Sequence, residues 1–142
     1  MRRQFDLPSE DVDFLDRETA SWEAVLEVSQ SNGQEVKVMW VLIHEYCPPD
    51  RYLPSTTTAA ICIADKYPDG ALDMVYFYPP IARKDGKSIP NIEHPQTIDG
   101  KQYQRWSRHY TVLNPWKPGE HSIETHYHLI ANWLEREFER RP

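Results

Sequence analysis

Residues 94–118, HPQTIDGKQYQRWSRHYTVLNPWKP, gather many of the side chains able to do chemistry in this 142-residue chain. His94 and His109 offer imidazoles, Ser107 a hydroxyl, Gln96 an amide and Arg108 a guanidinium, with Trp106, Tyr110 and Trp116 set among them. A hydroxyl beside an imidazole points to acyl chemistry, because a hydroxyl attacks a carbonyl only once a base takes its proton. The segment keeps no helical period and only fragments of alternation. It therefore reads mostly as an ordered loop, stiffened near its ends by Pro95, Pro115 and Pro118. Long irregular stretches in a compact domain are uncommon and tend to be functional, and the aromatic content argues against disorder.

The elements that must hold this loop are legible on either side of it. Pro8–Glu18 predicts a short helix, with Pro8 in its first turn, Glu10 and Asp11 near the positive end of the dipole, and Val12, Phe14 and Leu15 as its apolar stripe. Trp22–Ser29 and Glu35–Glu45 predict a hairpin around Ser31-Asn32-Gly33, with Val36, Val38, Trp40, Leu42 and His44 sharing one face. Thr56–Asp65 and Leu72–Tyr78 predict a third and a fourth strand, separated by the turn Tyr67-Pro68-Asp69-Gly70. Residues 81–93 are polar and contain the turn Lys84-Asp85-Gly86-Lys87. Glu120–Arg140 predicts the one long helix: Ile123, Tyr127, Ile130, Leu134 and Phe138 recur at steps of four and three, and Ser122 stands at the N-cap position. Strands in series with helices at the two ends of the chain imply an α+β domain, with an antiparallel meander and the helices on one face.

Composition narrows the function classes. The length fits a single domain spanning 1–142. A net charge of −6 argues against general nucleic-acid binding. The longest apolar run, Val38–Ile43, is too short to cross a bilayer, and the charged N-terminus lacks a signal core, so a cytoplasmic protein with no membrane partner is expected. Cys47 and Cys62 form no disulfide framework and no zinc motif. His126 and His128 are two apart, a spacing that does not place two ligands on one helix face, so neither a metal nor a cofactor is expected.

The order of elements resembles that of ubiquitin-conjugating enzymes (the UBC-like fold), and short motifs fall in the matching places. Lys66-Tyr67-Pro68 resembles the family's Tyr-Pro turn before its fourth strand, and His94-Pro95-Gln96 its His-Pro-Asn motif. Asp99-Gly100 is similar to the Asp/Asn-Gly ahead of the catalytic cysteine, and Trp116-Lys117-Pro118 to the Trp-Ser-Pro that leads into the next helix. More narrowly, YPD…LDMVYFYPP and QTIDG…QRWSRH…NPW resemble a prokaryotic group found beside ubiquitin-like and activating-enzyme-like genes. The departure is the cysteine: none lies between 63 and 142, and the family's position, counted back from Trp116, lands at Arg108 beside Ser107. The resemblance implies a transferase that accepts a ubiquitin-like protein from an activating enzyme and passes it to an amine. Ser107 would be the carrier through an oxyester, with Thr111 or Tyr110 as other hydroxyls. His109 or His94 would be the base, and Gln96 would steady the oxyanion or brace the loop. Trp106, Arg108 and Trp116 would bind the incoming tail or anchor the loop. The missing cysteine equally implies an inactive adaptor of the same fold that grips the ubiquitin-like protein or the activating enzyme, and the Ser/His pair alone also fits an unrelated hydrolase.

Overall fold

Pro8 ends the N-terminal segment and opens α1 (Ser9–Glu18), its carbonyl accepting the amides of Asp11 and Val12 at 3.0 and 3.2 Å. The computed structural model describes all 142 residues. α1 buries Phe14 and Leu15 as its stripe implies, and Asp11 with them. The hairpin follows, β1 (Ser21–Ser31) against β2 (Gln34–Tyr46). Asn32 and Gly33 make its turn at φ 52° and 75°, the left-handed pair that a two-residue hairpin requires. β3 (Tyr52–Leu53) pairs with β6 (Ala82–Arg83) in a small separate ribbon. β4 (Thr57–Ile63), β5 (Val75–Tyr78), β7 (Gln96–Ile98) and β8 (Lys101–Trp106) complete the main sheet, and α2 (Ile123–Arg140) closes the chain. The main sheet is antiparallel throughout, in the order β1-β2-β4-β5-β8-β7.

The architecture is α+β, with two helices and a curled antiparallel sheet. The sheet has six strands where four were expected, and the added pair comes from the segment read as loop. Residues 96–106 form a hairpin turned at Asp99-Gly100, with φ 52° and 75°. Its alternation is masked by Gln104. That side chain lies between the buried Tyr103 and Trp106 and spends both ends on one backbone unit, accepting from the amide of Ile81 at 3.1 Å and donating to its carbonyl at 3.0 Å.

Both faces of the sheet are covered. Trp22, Val41, Ile43, Ile61, Phe77 and Trp106 pack toward Phe14, Leu15, Ile130, Leu134 and Phe138 of the helices. On the other face Val25, Trp40, Leu42 and Tyr76 pack with Ile98 and Tyr103 of the added hairpin. The sheet curls until its two ends meet. The guanidinium of Arg2 holds Glu23 on β1 at 3.1 Å and Asp99 in the β7–β8 turn at 2.6 Å, while Glu27 accepts the amide of Asp99 at 3.0 Å. Charge-assisted bonds of this kind are stronger than neutral ones. They hold the Glu23 carboxyl down at about 2, chiefly through Arg2.

The start of α2 is tied to α1. Asp11 and the Tyr67 hydroxyl both accept from the amide of Ile123, at 3.3 and 2.8 Å, and Tyr67 in turn donates to Asp11 at 2.7 Å. Ser122 and Thr125 complete a capping box. No helix is long and apolar enough to cross a membrane.

Candidate functional site

The crossover from β8 to α2 begins at a deep anchor. The Trp106 ring is fully buried, edge-on to Phe77 at 5.8 Å and to Tyr52 at 6.0 Å, so it presents no surface to a ligand. The chain emerges from the core at Ser107. Backbone bonds fix it there: the Ser107 amide donates to Asn91 O at 3.1 Å, and the Arg108 carbonyl accepts from the Met74 amide at 3.1 Å. Arg108 doubles the strap, donating to the carbonyls of Pro90 and Ser107 at 3.2 and 3.3 Å and pairing with Glu137 at 3.3 Å. The Ser107 hydroxyl is left out of this network, and Ser107 lines a cavity of about 290 Å³.

His109 lines the same cavity. Its Nδ1 lies 2.9 and 3.0 Å from the two oxygens of Asp73. A carboxylate only accepts, so Nδ1 carries the proton in this pair and the lone pair of the neutral ring sits on Nε2. Ser107 and His109 thus share one cavity with no hydrogen bond between them, and a hydroxyl and a carboxylate-braced imidazole are the group types that acyl transfer uses.

Beyond His109 the crossover is clamped by aromatic and imidazole rings. Tyr110 stacks at 5.7 Å on His126 and meets Trp116 edge-on at 5.3 Å. Its hydroxyl bonds His126 Nδ1 at 2.8 Å, and His126 Nε2 lies 2.9 Å from the carbonyl of Met74. That carbonyl can only accept, so Nε2 donates and Nδ1 accepts from Tyr110. Burial pushes the His126 imidazole down to about 4, against smaller opposing effects of the Met74 bond and Asp73. Burial also raises the Tyr110 phenol, so this hydroxyl is both committed and hard to ionise. Trp116 donates to Pro68 O at 3.1 Å and rests near Tyr67, which joins the crossover to the Tyr-Pro turn. Thr111 and Asn114 exchange backbone bonds at 3.1 Å, and the Thr111 hydroxyl accepts the Asn114 amide. Of the stretch 94–118 read as loop, residues 96–106 form a hairpin instead, and residues 107–118 carry no helix or strand.

Ser107, Arg108 and His109 come together at one cavity; His94 and Gln96 are not among the residues that line it. His94 is exposed in the connection before β7. Gln96 is exposed at the start of β7, opposite Tyr103, and its amide reaches only Thr97 O at 3.4 Å. Two residues of the site, Asp73 and Glu137, went unremarked in the sequence, and His126 was weighed there only as a metal ligand. His126 carries a signal, since it falls three after Ile123 and four before Ile130, on the buried stripe. Glu137 falls three after Leu134 in the same way, but inside EREFERR it reads as one more solvated charge. Neither cysteine is near the crossover by element: Cys47 is exposed after β2, and Cys62 is on β4, where burial raises its thiol.

A curled antiparallel sheet, with a Tyr-Pro turn braced against the crossover into the last helix, fits an E2-like fold. The model of Prokaryotic E2 family E matches residues 7–137, and the chain belongs to that family. No curated protein and no solved structure matches.

Proposed function

We propose that this chain is the acyl carrier of a bacterial ubiquitin-like modification pathway, with Ser107 as the acceptor. Family membership supports a role in ubiquitin-like conjugation. The observation that carries the finer reading is Ser107 and His109 on one cavity, with Asp73 bracing the far side of the imidazole. In the reaction His109 Nε2 takes the Ser107 proton, and the oxygen attacks the activated carbonyl of the tail. The tetrahedral centre collapses, expelling the activating enzyme's leaving group with that proton. An amine then attacks the oxyester, and the Ser107 oxygen leaves and is reprotonated. Arg108 shapes this reading from behind, by holding the Ser107 carbonyl. Gln96 and His94 play their expected parts only if the β7 edge moves toward Ser107 when a partner binds.

The test is reconstitution with the ubiquitin-like protein, the activating enzyme and ATP. An adduct that resists thiols, yields to hydroxide and disappears in Ser107→Ala is the expected result. An adduct that persists in Ser107→Ala removes Ser107 from the role. Asp73→Asn is expected to slow adduct formation about ten-fold, since a carboxylate that fixes a catalytic imidazole contributes at least that much, with little change in the concentration of ubiquitin-like protein needed for half-maximal rate. An unchanged rate assigns the His109–Asp73 pair to structure alone.

A second reading has its own observation: the crossover has no cysteine, and both thiols of the chain lie on other elements. On that reading the protein is an adaptor that binds the ubiquitin-like protein or the activating enzyme without carrying it. Binding to either partner with no adduct on any residue selects it.

A further inference from the structure

The cavity beside Ser107 is cationic in a protein that is otherwise acidic. Arg108, Arg136, Arg140 and Arg141 line it, and Glu137 is the one carboxylate among the lining residues, which leaves three positive charges in excess. The whole chain carries a net charge of −6, so this surplus is local. Arg108 and Arg141 are neutralised in part by Glu137. Arg136 and Arg140 are exposed and have no ion-pair or hydrogen-bond partner in the protein. They stand four apart on one face of α2, a like-charge spacing that weakens a helix rather than supporting it. One cation would serve the helix dipole; two unpaired ones turned to the same concavity serve something absent from the free protein.

We infer that this pocket selects the tail of the ubiquitin-like protein by acidic side chains close to its C-terminus, with Arg136 and Arg140 as the specificity-determining residues. The inference rests on the reading in which that C-terminus reaches Ser107. Long exposed arginine side chains suit an extended acidic peptide, whose charges are spread along its length. A compact phosphate would want donors already fixed around one point, and the best-fixed guanidinium, Arg108, is spent on Pro90, Ser107 and Glu137. The amides of Asn91 and Asn114 on the same wall offer donors and acceptors to a peptide backbone.

The experiment measures fluorescence anisotropy of three labelled peptides with free C-termini, identical except for glutamate, serine or lysine at the positions before the end. At low salt the glutamate peptide is expected to bind at least about ten-fold tighter than the serine peptide, with the preference fading as salt shortens the Debye length. The double variant Arg136→Glu/Arg140→Glu, both changes being on the surface, is expected to lose that preference and favour the lysine peptide. Ser107→Ala separates this inference from the carrier reading: it keeps the glutamate preference while losing any adduct. Equal affinity for the glutamate and serine peptides, no binding of any peptide, or a preference that survives the charge reversal overturns the assignment. Displacement of the glutamate peptide by inorganic phosphate far beyond the effect of chloride at matched ionic strength overturns it too, by making the site one for a compact anion.

Discussion

Glu137→Ala is expected to cost about 3–5 kcal/mol of stability, the range for removing one member of a buried charge cluster, and to lower Tm by roughly 10 °C or more. The Glu137 side chain is 1% exposed and receives three arginines. Arg141 approaches at 2.6 Å, Arg108 at 3.3 Å and Arg83, itself wholly buried, at 3.9 Å. Arg83 keeps Asp85 at 2.6 Å and the carbonyl of Arg141, but Arg108 has no other carboxylate. Burial alone would raise the Glu137 carboxyl; the bond and charge of Arg141, with Arg108 and Arg83, outweigh it and hold it below its ordinary 4.5. A depressed carboxylate stabilises the fold above the unfolded value, and that contribution is lost as pH falls through the folded one. Urea unfolding of the alanine variant at neutral pH is the measurement, and a loss under about 1 kcal/mol would show that the cluster merely balances its own desolvation. Because Arg108 holds the Ser107 carbonyl, the same variant is expected to form adduct more slowly even where it remains folded.

This arrangement explains why the sequence disclosed the frame more readily than the site. The hairpin at Asn32-Gly33, the strand at residues 57–63 and the stripe of α2 follow from local period and turn chemistry, which need no partner to be read. β2 was legible on one face only. Val38, Trp40 and Leu42 were assigned together and pack on the outer side, while Val41 and Ile43 supply the helix side. A strand buried on both faces loses its alternation. β7 and β8 were missed for a different reason: Gln104 occupies an inward position because it satisfies the backbone of Ile81, and that partner lies far away in sequence. The site followed the same rule. Ser107 and His109 are visible as types, whereas Asp73, His126 and Glu137 acquire meaning only from long-range contacts, to His109, to Met74 and Tyr110, and to Arg83 and Arg108 respectively.

His126 supplies the other large expected effect, and it has a pH signature. His126→Ala is expected to cost about 3–5 kcal/mol, the range for a large buried side chain, because it opens a cavity between Tyr110 and Trp133 and strands the Met74 carbonyl and the Tyr110 hydroxyl. In the native protein the imidazole resists protonation down to about 4, against an ordinary 6.5. The unfolded chain therefore takes up this proton first, and stability falls as pH drops from about 6.5 toward about 4, by at most about 3 kcal/mol. Asp11 acts in the opposite sense: burial raises its carboxyl, so its protonation favours the folded state. The depressed carboxylates Glu23, Asp99 and Glu137 lose their contribution only at lower pH, below the ordinary carboxylate values. The interval from about 6.5 to 4.5 thus belongs mainly to His126. His126→Phe keeps the ring volume and removes the titration. Its urea midpoint is expected to be lower than that of the parent at pH 7 and nearly flat across that interval, where the parent's falls steadily. Parallel curves for the two proteins would show that the slope arises elsewhere. Since Tyr110 and the Met74 carbonyl are the two ends of this clamp, and the Met74 amide holds the Arg108 carbonyl, mild acid is expected to loosen the crossover next to Ser107 and His109 before the sheet gives way. Hydrogen exchange at the amides of Met74 and Ser107, compared at pH 7 and pH 5 after correction for intrinsic rates, reads that order directly.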